Sequence, residues 1–162
     1  GHKHIAGFFK TDDLQGVGRM KGFIRAHRTY EVPISPGMMA SFCTEDKYTK
    51  PKDVARQLLA RKSERPSAVF CYNDEIALEV LDVAREFNVK VPEALSIVGF
   101  DDSPLATATE IKLTTVKHPQ TLMGEDAAKA VVDSVEEKRS VSDISPIVYR
   151  PELVVRSSTM PL

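Results

Sequence analysis

The sequence predicts an α/β fold: a three-layer, Rossmann-like parallel sheet with helices on both faces. Three observations carry that prediction. Leu95-Ser96-Ile97-Val98-Gly99-Phe100 and Ala68-Val69-Phe70-Cys71-Tyr72 are almost unbroken apolar runs, as strands covered on both faces require. Such runs alternate with segments of helical periodicity, the pattern that right-handed crossovers produce in a parallel sheet. Both runs also stop abruptly at polar groups, Asp101-Asp102-Ser103-Pro104 and Asn73-Asp74-Glu75. In open α/β sheets ligands collect outside the carboxyl ends of strands, so these two ends are the first candidates for a site.

Taken in order, Ile5 to Phe9 reads as the first strand. Asp12 then reads as a helix N-cap with Gln15 three residues on, as in a capping box. Met20, Phe23, Ile24 and His27 recur at i, i+3, i+4 and i+7, an inward face for a helix running to about Arg28. Gly16 and Gly18 in its first turn point either to close approach of a ligand or to helix-to-sheet packing. After a Pro/Gly loop, Met38 to Cys43 reads as the second strand. Pro51 opens a second helix with Val54, Leu58 and Leu59 on one face, expected to end near Arg65-Pro66 because a residue before proline is pushed out of the α region. Ala68 to Tyr72, a helix from Asp74 to Phe87 closed by Asn88, and Leu95 to Phe100 follow. Leu113 to Val116 is a short fifth strand. Pro119 to Lys138 reads as an amphipathic helix with Leu122, Ala127, Ala130, Val131 and Val135 inward. Ile147 to Tyr149 and Glu152 to Arg156 read as edge strands beside the parallel ones, where Pro151 is tolerated.

Composition limits the function classes. The 162 residues, 42% hydrophobic and 28% charged, suit one soluble globular domain, and no apolar run nears the roughly 20 residues that span a bilayer. With 22 basic against 23 acidic side chains, the net charge of −1 lacks the basic footprint of phosphate-backbone binding, so this chain alone is not expected to bind DNA. Cys43 and Cys71 sit in apolar runs and read as free thiols in a reducing cytosol. A chain that opens on a core strand with no lead-in reads as a fragment of a longer protein.

Several segments in one order resemble the effector-binding domain of the lactose/galactose repressor family, relatives of periplasmic sugar-binding proteins. They are Gly1-His2 to Gly7-Phe8, Arg19-Met20-Lys21-Gly22-Phe23, Pro66 to Ala77, Val91-Pro92 to Asp101-Asp102, and Leu113 to Pro119 with Met123-Gly124. The wording Cys71-Tyr72-Asn73-Asp74-Glu75-Ile76-Ala77-Leu78, with Val116-Lys117-His118-Pro119, is most similar to the arabinose-sensing members of the family. In these a winged-helix DNA-binding domain of the GntR type precedes the sugar-sensing domain.

The resemblance implies a periplasmic-binding-protein-like fold of two lobes around one sugar cleft. On that pattern residues 1–115 form the C-terminal lobe, 116–139 return as a helix to the N-terminal lobe, and 140–162 come back. The helix would then lack its expected sheet and leave an apolar face to cover. The implied partners are a sugar effector, L-arabinose for this branch, a second copy in a homodimer, and operator DNA through a domain outside this chain. No cofactor or metal is implied, no membrane association, and a cytoplasmic location.

Residue by residue, the resemblance implies ligand contacts at Asp13, Gln15, Arg19, Phe42, Asn73, Asp101 and His118. A pentose is a ring of hydroxyls with one apolar face, and such side chains supply donors, acceptors and a flat surface. It implies dimer contacts at Leu78, Leu81, Asp82 and the segment Leu105 to Thr109, with Leu81 equally readable as core. Without the family pattern Arg19 reads as a solvated helix arginine and Phe42 as core. Asn73 is open between ligand contact and helix cap. Asp102 reads as a cap or loop acceptor for Ser103 to Thr109, and Asp74 as a cap. Glu79 departs from a family that often has glycine there. His2 and His4 lack metal-ligand spacing. Two competing classes remain: a periplasmic-type transport protein of the same fold, and a Mg²⁺-dependent hydrolase using Asp101 with Asp102, Asp74 and Glu75. Against the hydrolase, the sequence has no Asp-x-Asp nucleophile pattern, no Gly-rich phosphate loop and no Gly-x-Ser-x-Gly.

Overall fold

A computed structural model describes residues 1–61, 63–136 and 145–162. Its centre is a four-stranded parallel sheet in the order β2-β1-β3-β4. The strands are β1 (Ile5–Lys10), β2 (Met39–Phe42), β3 (Ala68–Cys71) and β4 (Ser96–Val98). Register is set by pairs such as Phe8 with Ala40 and Cys71, and Val69 with Ile97. The connecting helices are α1 (Leu14–Thr29), α2 (Lys50–Leu59) and α3 (Asp74–Glu86).

The alternation along β1 shows why both faces had to be apolar. Ala6 and Phe8 join a core with Leu58 and Leu59 of α2 and Ile76, Ala77, Val80 and Leu81 of α3. Phe9, on the opposite face, packs edge-on against Phe23 of α1, ring centroids 5.3 Å apart, and beside Phe70 at 6.0 Å. A Cβ at Gly7 would collide with the Phe9 ring and crowd that of Phe23. The result is three layers, α1 on one side and α2 with α3 on the other. A forked ion pair from Arg56 to Glu86 (2.9 and 3.1 Å) ties α2 to α3. Glu79, the departure from the family pattern, faces Lys52 of α2.

At the β4 edge the chain continues the sheet through one parallel bridge, Val98 with Thr114. Gly99 N–H donates to Thr114 O and Asp101 N–H to Val116 O, each at 2.9 Å. β5 (Thr115–Lys117) then pairs antiparallel with β6 (Glu152–Val154). The tail returns along β4, where Ile97 N–H donates to Ser158 O at 2.8 Å.

Several elements differ from the expectation. The cap of α1 is Asp13, whose carboxylate accepts from Gly16 N–H at 2.6 Å. Asp12 instead accepts from the backbone and hydroxyl of Thr44, which hold its carboxyl down at about 2. α2 stops at Leu59, six residues short of Arg65, and Leu58 and Leu59, 2% and 1% exposed, are the last residues it places in the core. The segment Ile147 to Tyr149 forms no strand; Tyr149 donates its hydroxyl to Asp126 at 2.7 Å. β6 lies in a separate two-stranded sheet rather than beside the parallel strands. α4 (Gln120–Glu136) buries none of its residues: Val131 is 65% and Val135 74% exposed, and of the expected inward face only Ala127 and Ala130 share a cavity with the returning segment, at Pro146, Ile147 and Tyr149. The expected end of that helix at Lys138, the boundary at 139/140 and the start of the following loop lie outside the described residues.

Candidate functional site

The strand ends that the sequence singled out lie side by side. Asp74 N–H donates to Phe100 O at 2.9 Å, joining the start of α3 to the end of β4. Gly99 makes this approach possible, since a Cβ there would sit 2.2 Å from Asp74 Oδ1. Asp74 is 1% exposed and accepts from Thr115 Oγ1 (2.6 Å) and Ser103 N–H (2.8 Å). Burial pushes its carboxyl above the usual aspartate range despite those two hydrogen bonds. It is a buried strut of the loop, and Asn73 is the cap.

Above this strut opens a cavity of about 730 Å³ between α1, the ends of β3 and β4, and the crossing segment at His118. Arg19 is its centre. One turn into α1, the guanidinium lies 3.8 Å from the Phe100 ring centroid and 4.7 Å from that of Tyr72. It donates to Tyr72 O and, at 2.9 Å, to Asp101 Oδ1. A cation held between two rings and bonded to a carboxylate is fixed in place, with little side-chain entropy left to lose when a ligand arrives. Asp101 has φ of 99° and Asp102 of 49°, left-handed backbone that non-glycine residues rarely adopt. Such strain at a strand end aims the Asp101 carboxylate at the cavity. His118 Nε2 stands 3.9 Å from the same oxygen, and Gln120 Nε2 lies 3.2 Å from His118 Nε2.

Of the seven expected contacts, Gln15, Arg19, Asp101 and His118 share this cavity. Asn73 and Phe42 line a neighbouring cavity of about 190 Å³, with Lys10, Lys47 and Glu75. Asn73 Oδ1 is taken by Ile76 N–H at 3.0 Å, so it caps α3 with its acceptor. Phe42 is 2% exposed and belongs to the core; the rings exposed to the larger cavity are Tyr72 and Phe100. Asp13 lines neither cavity. Its carboxylate caps α1, pairs with Lys10 at 3.0 Å and accepts the Tyr72 hydroxyl at 2.7 Å. Although burial opposes them, those bonds hold Asp13 below its ordinary value. Burial and the bond to Asp13 raise the Tyr72 phenol to about 12, so it stays a donor.

Tyr72 and Phe100 are the residues that sequence reasoning missed, and each had a signal. Both are the aromatic immediately preceding a polar strand end, Asn73 and Asp101. Asp102 also differs from expectation. It pairs with Arg156 at 2.6 Å, and Arg156 donates on to Leu113 O at 2.9 Å, so Asp102 anchors the returning tail and caps nothing. The four carboxylates of the metal-hydrolase reading are therefore committed separately: Asp101 to Arg19, Asp102 to Arg156, Asp74 to Thr115 and Ser103, and Glu75 to Lys47 at 3.7 Å.

Among the expected dimer contacts, Leu81 must be corrected: at 1% exposed it fills the core between α3 and the sheet and cannot reach a partner. Leu78 is half-buried against that core, Leu105 is 42% exposed, and Asp82 pairs with Arg85 at 3.0 Å on the surface. Thr109 donates its hydroxyl to Ile111 O at 2.7 Å.

Comparison with known proteins places this geometry. Residues 1–159 match the family described as "Periplasmic binding protein-like domain". An arabinose metabolism transcriptional repressor of Geobacillus stearothermophilus is 57% identical over 98% of this chain and 44% of its own length. One from Halalkalibacterium halodurans is 48% identical over 98% of this chain and 43% of its own. The chain thus spans less than half the length of these relatives. A regulatory protein of the LacI family from Chloroflexus aggregans superposes with a TM-score of 0.86 at 27% identity, over 99% of this chain and 56% of that one. A LacI family transcriptional regulator from Lactobacillus casei with bound glucose gives 0.79 at 25% identity, over 98% of this chain and 57% of that one. These relatives are transcription regulators rather than enzymes. The chain belongs to the periplasmic binding protein-like domain family, within the effector-binding domain of the LacI-family transcriptional regulators.

Proposed function

We propose that this chain is the C-terminal lobe of the effector domain of a cytoplasmic transcription repressor that senses L-arabinose. The observation that carries the reading is the Arg19–Asp101 pair, a donor fork and an acceptor held together at 2.9 Å between two aromatic rings at a strand end. Fixed donors and acceptors beside flat apolar surface are what a neutral polyol needs, and the pair leaves no isolated charge to demand an ionic ligand. Gln15, His118 and Gln120 add polar groups around it. The choice of L-arabinose is supported by the two repressors of arabinose metabolism at 57% and 48% identity.

In this reading residues 1–115 are one jaw, the helix in 116–139 belongs to the opposing lobe, and 140–162 return. The exposure of Val131, Val132 and Val135 on α4 agrees with that division. Sugar favours the closed arrangement of the lobes by its differential affinity for that state. Closure shifts a homodimer, formed through Leu78, Asp82 and the Leu105 to Thr109 segment, so that DNA-binding domains outside this chain leave the operator. An operator-release assay on the complete protein tests this. L-arabinose is expected to dissociate the complex at concentrations where D-xylose and D-ribose do not; a complex indifferent to every pentose refutes the assignment.

A further inference from the structure

Tyr72 is the one described residue that lines both cavities at the strand ends. The larger lies toward β4 and the smaller over the ends of β1, β2 and β3, and six of the seven residues expected to grip one ligand are divided between them, Gln15, Arg19, Asp101 and His118 in the larger and Phe42 and Asn73 in the smaller. The phenol that separates them is braced from each side. The Arg19 guanidinium lies 4.7 Å from its ring centroid within the larger cavity, and Phe42 meets it edge-on at 5.9 Å within the smaller. Its hydroxyl is tethered to Asp13, which Lys10 and the first turn of α1 hold in turn. A rigid ring with two torsions, packed on both sides and tethered at its tip, behaves as a wall.

The smaller cavity nevertheless has polar lining that could meet a polyol: Lys10, Thr44, Lys47, Asn73 and Glu75 stand around it. Although Lys10 pairs with Asp13, Thr44 with Asp12, Lys47 with Glu75 and Asn73 Oδ1 with Ile76 N–H, ammonium, amide and hydroxyl groups each keep further donor or acceptor positions. We propose that Tyr72 sets the length of the effector along the strand ends, confining it to one sugar ring in the larger cavity and closing off a position built to take a second. This inference rests on the sugar reading of the site.

The test is calorimetric titration of the complete protein with L-arabinose and with α-1,5-linked L-arabinobiose, on the wild type, Tyr72→Phe and Tyr72→Val. The wild type is expected to prefer the monosaccharide by at least about tenfold, and Tyr72→Phe, which keeps the ring, to retain that preference. Tyr72→Val shortens the wall while keeping a good strand-end residue, and the preference should fall by about tenfold or more. A purely structural role would lower stability or weaken both sugars together and leave their ratio alone. An unchanged ratio in Tyr72→Val, with the wild type selective, overturns this proposal alone. A wild type that takes neither sugar overturns the arabinose reading and this proposal with it. Should Tyr72→Val fail to fold, Tyr72→Leu is titrated in its place against the same criterion.

Discussion

Replacing Asp101 separates its charge from its backbone. The carboxylate accepts a charge-assisted hydrogen bond from Arg19 at 2.9 Å with 29% of its side chain exposed, while its backbone sits at φ of 99°. Asp101→Asn keeps the shape and the tolerance of left-handed backbone but loses the charge. Removing a charged hydrogen-bond acceptor costs about 1.5–3 kcal/mol, so the affinity of the complete protein for L-arabinose should fall by about ten- to a hundredfold. Asp101→Gly loses the same acceptor but relieves backbone strain of about 1–2 kcal/mol, which offsets the lost ion pair in the folded state. Asp101→Gly should therefore bind as poorly as Asp101→Asn while unfolding close to the wild type. Calorimetric titration and urea unfolding measure the two quantities on the same samples. Wild-type affinity in Asp101→Asn refutes the role given to the carboxylate, and affinity that merely tracks stability across both variants refutes the separation of site from fold.

Asp74→Ala strands the Ser103 N–H and the Thr115 hydroxyl and should destabilise by about 1–3 kcal/mol at neutral pH, measured by urea unfolding. Because burial raises the Asp74 carboxyl, the folded state binds its proton more readily than the unfolded chain. Its contribution to stability then grows as pH falls from neutral through the raised folded value toward the unfolded one near 4. The gap between wild type and variant should widen over that window; a gap that narrows contradicts the direction of the shift. Gly99→Ala forces a methyl against Asp74 Oδ1 and should cost about 1–3 kcal/mol in the same assay, with wild-type stability as the contrary result. Leu81→Ala should lower stability by about 2–5 kcal/mol as a core truncation. Leu105→Asp should leave stability within about 0.5 kcal/mol yet shift the complete protein toward monomer in sedimentation, and an unshifted dimer removes that loop from the interface.

How much of this was legible in the sequence depends on whether a residue's partner was local. The parallel sheet and its three helices could be read from the near-continuous apolar runs and the helical spacing, because burial on both faces writes itself into consecutive residues. The strand ends at Asn73 and Asp101 were readable for the same reason: an apolar run has a visible end. Partners distant in sequence were not. Asp12 and Asp13 are adjacent carboxylates, and only the arrival of Thr44 at Asp12 and of Tyr72 and Lys10 at Asp13 decides which one caps α1. Asp102 looked like a local cap because Arg156, its partner, lies 54 positions along the chain. α4 shows the opposite failure. Its helical spacing was read correctly, but periodicity states that a face is apolar and not what covers it. Arg19 needed the family pattern to be noticed at all, since nothing local distinguishes an arginine stacked between Tyr72 and Phe100 from a solvated one.

The central claim is that the cavity around Arg19 and Asp101 is one jaw of an arabinose site, and calorimetric titration of the complete wild-type protein with L-arabinose tests it most directly. Saturable one-to-one binding of L-arabinose, tighter than that of D-xylose or D-ribose, is the predicted result. The absence of binding heat with any pentose, at several temperatures, would contradict it.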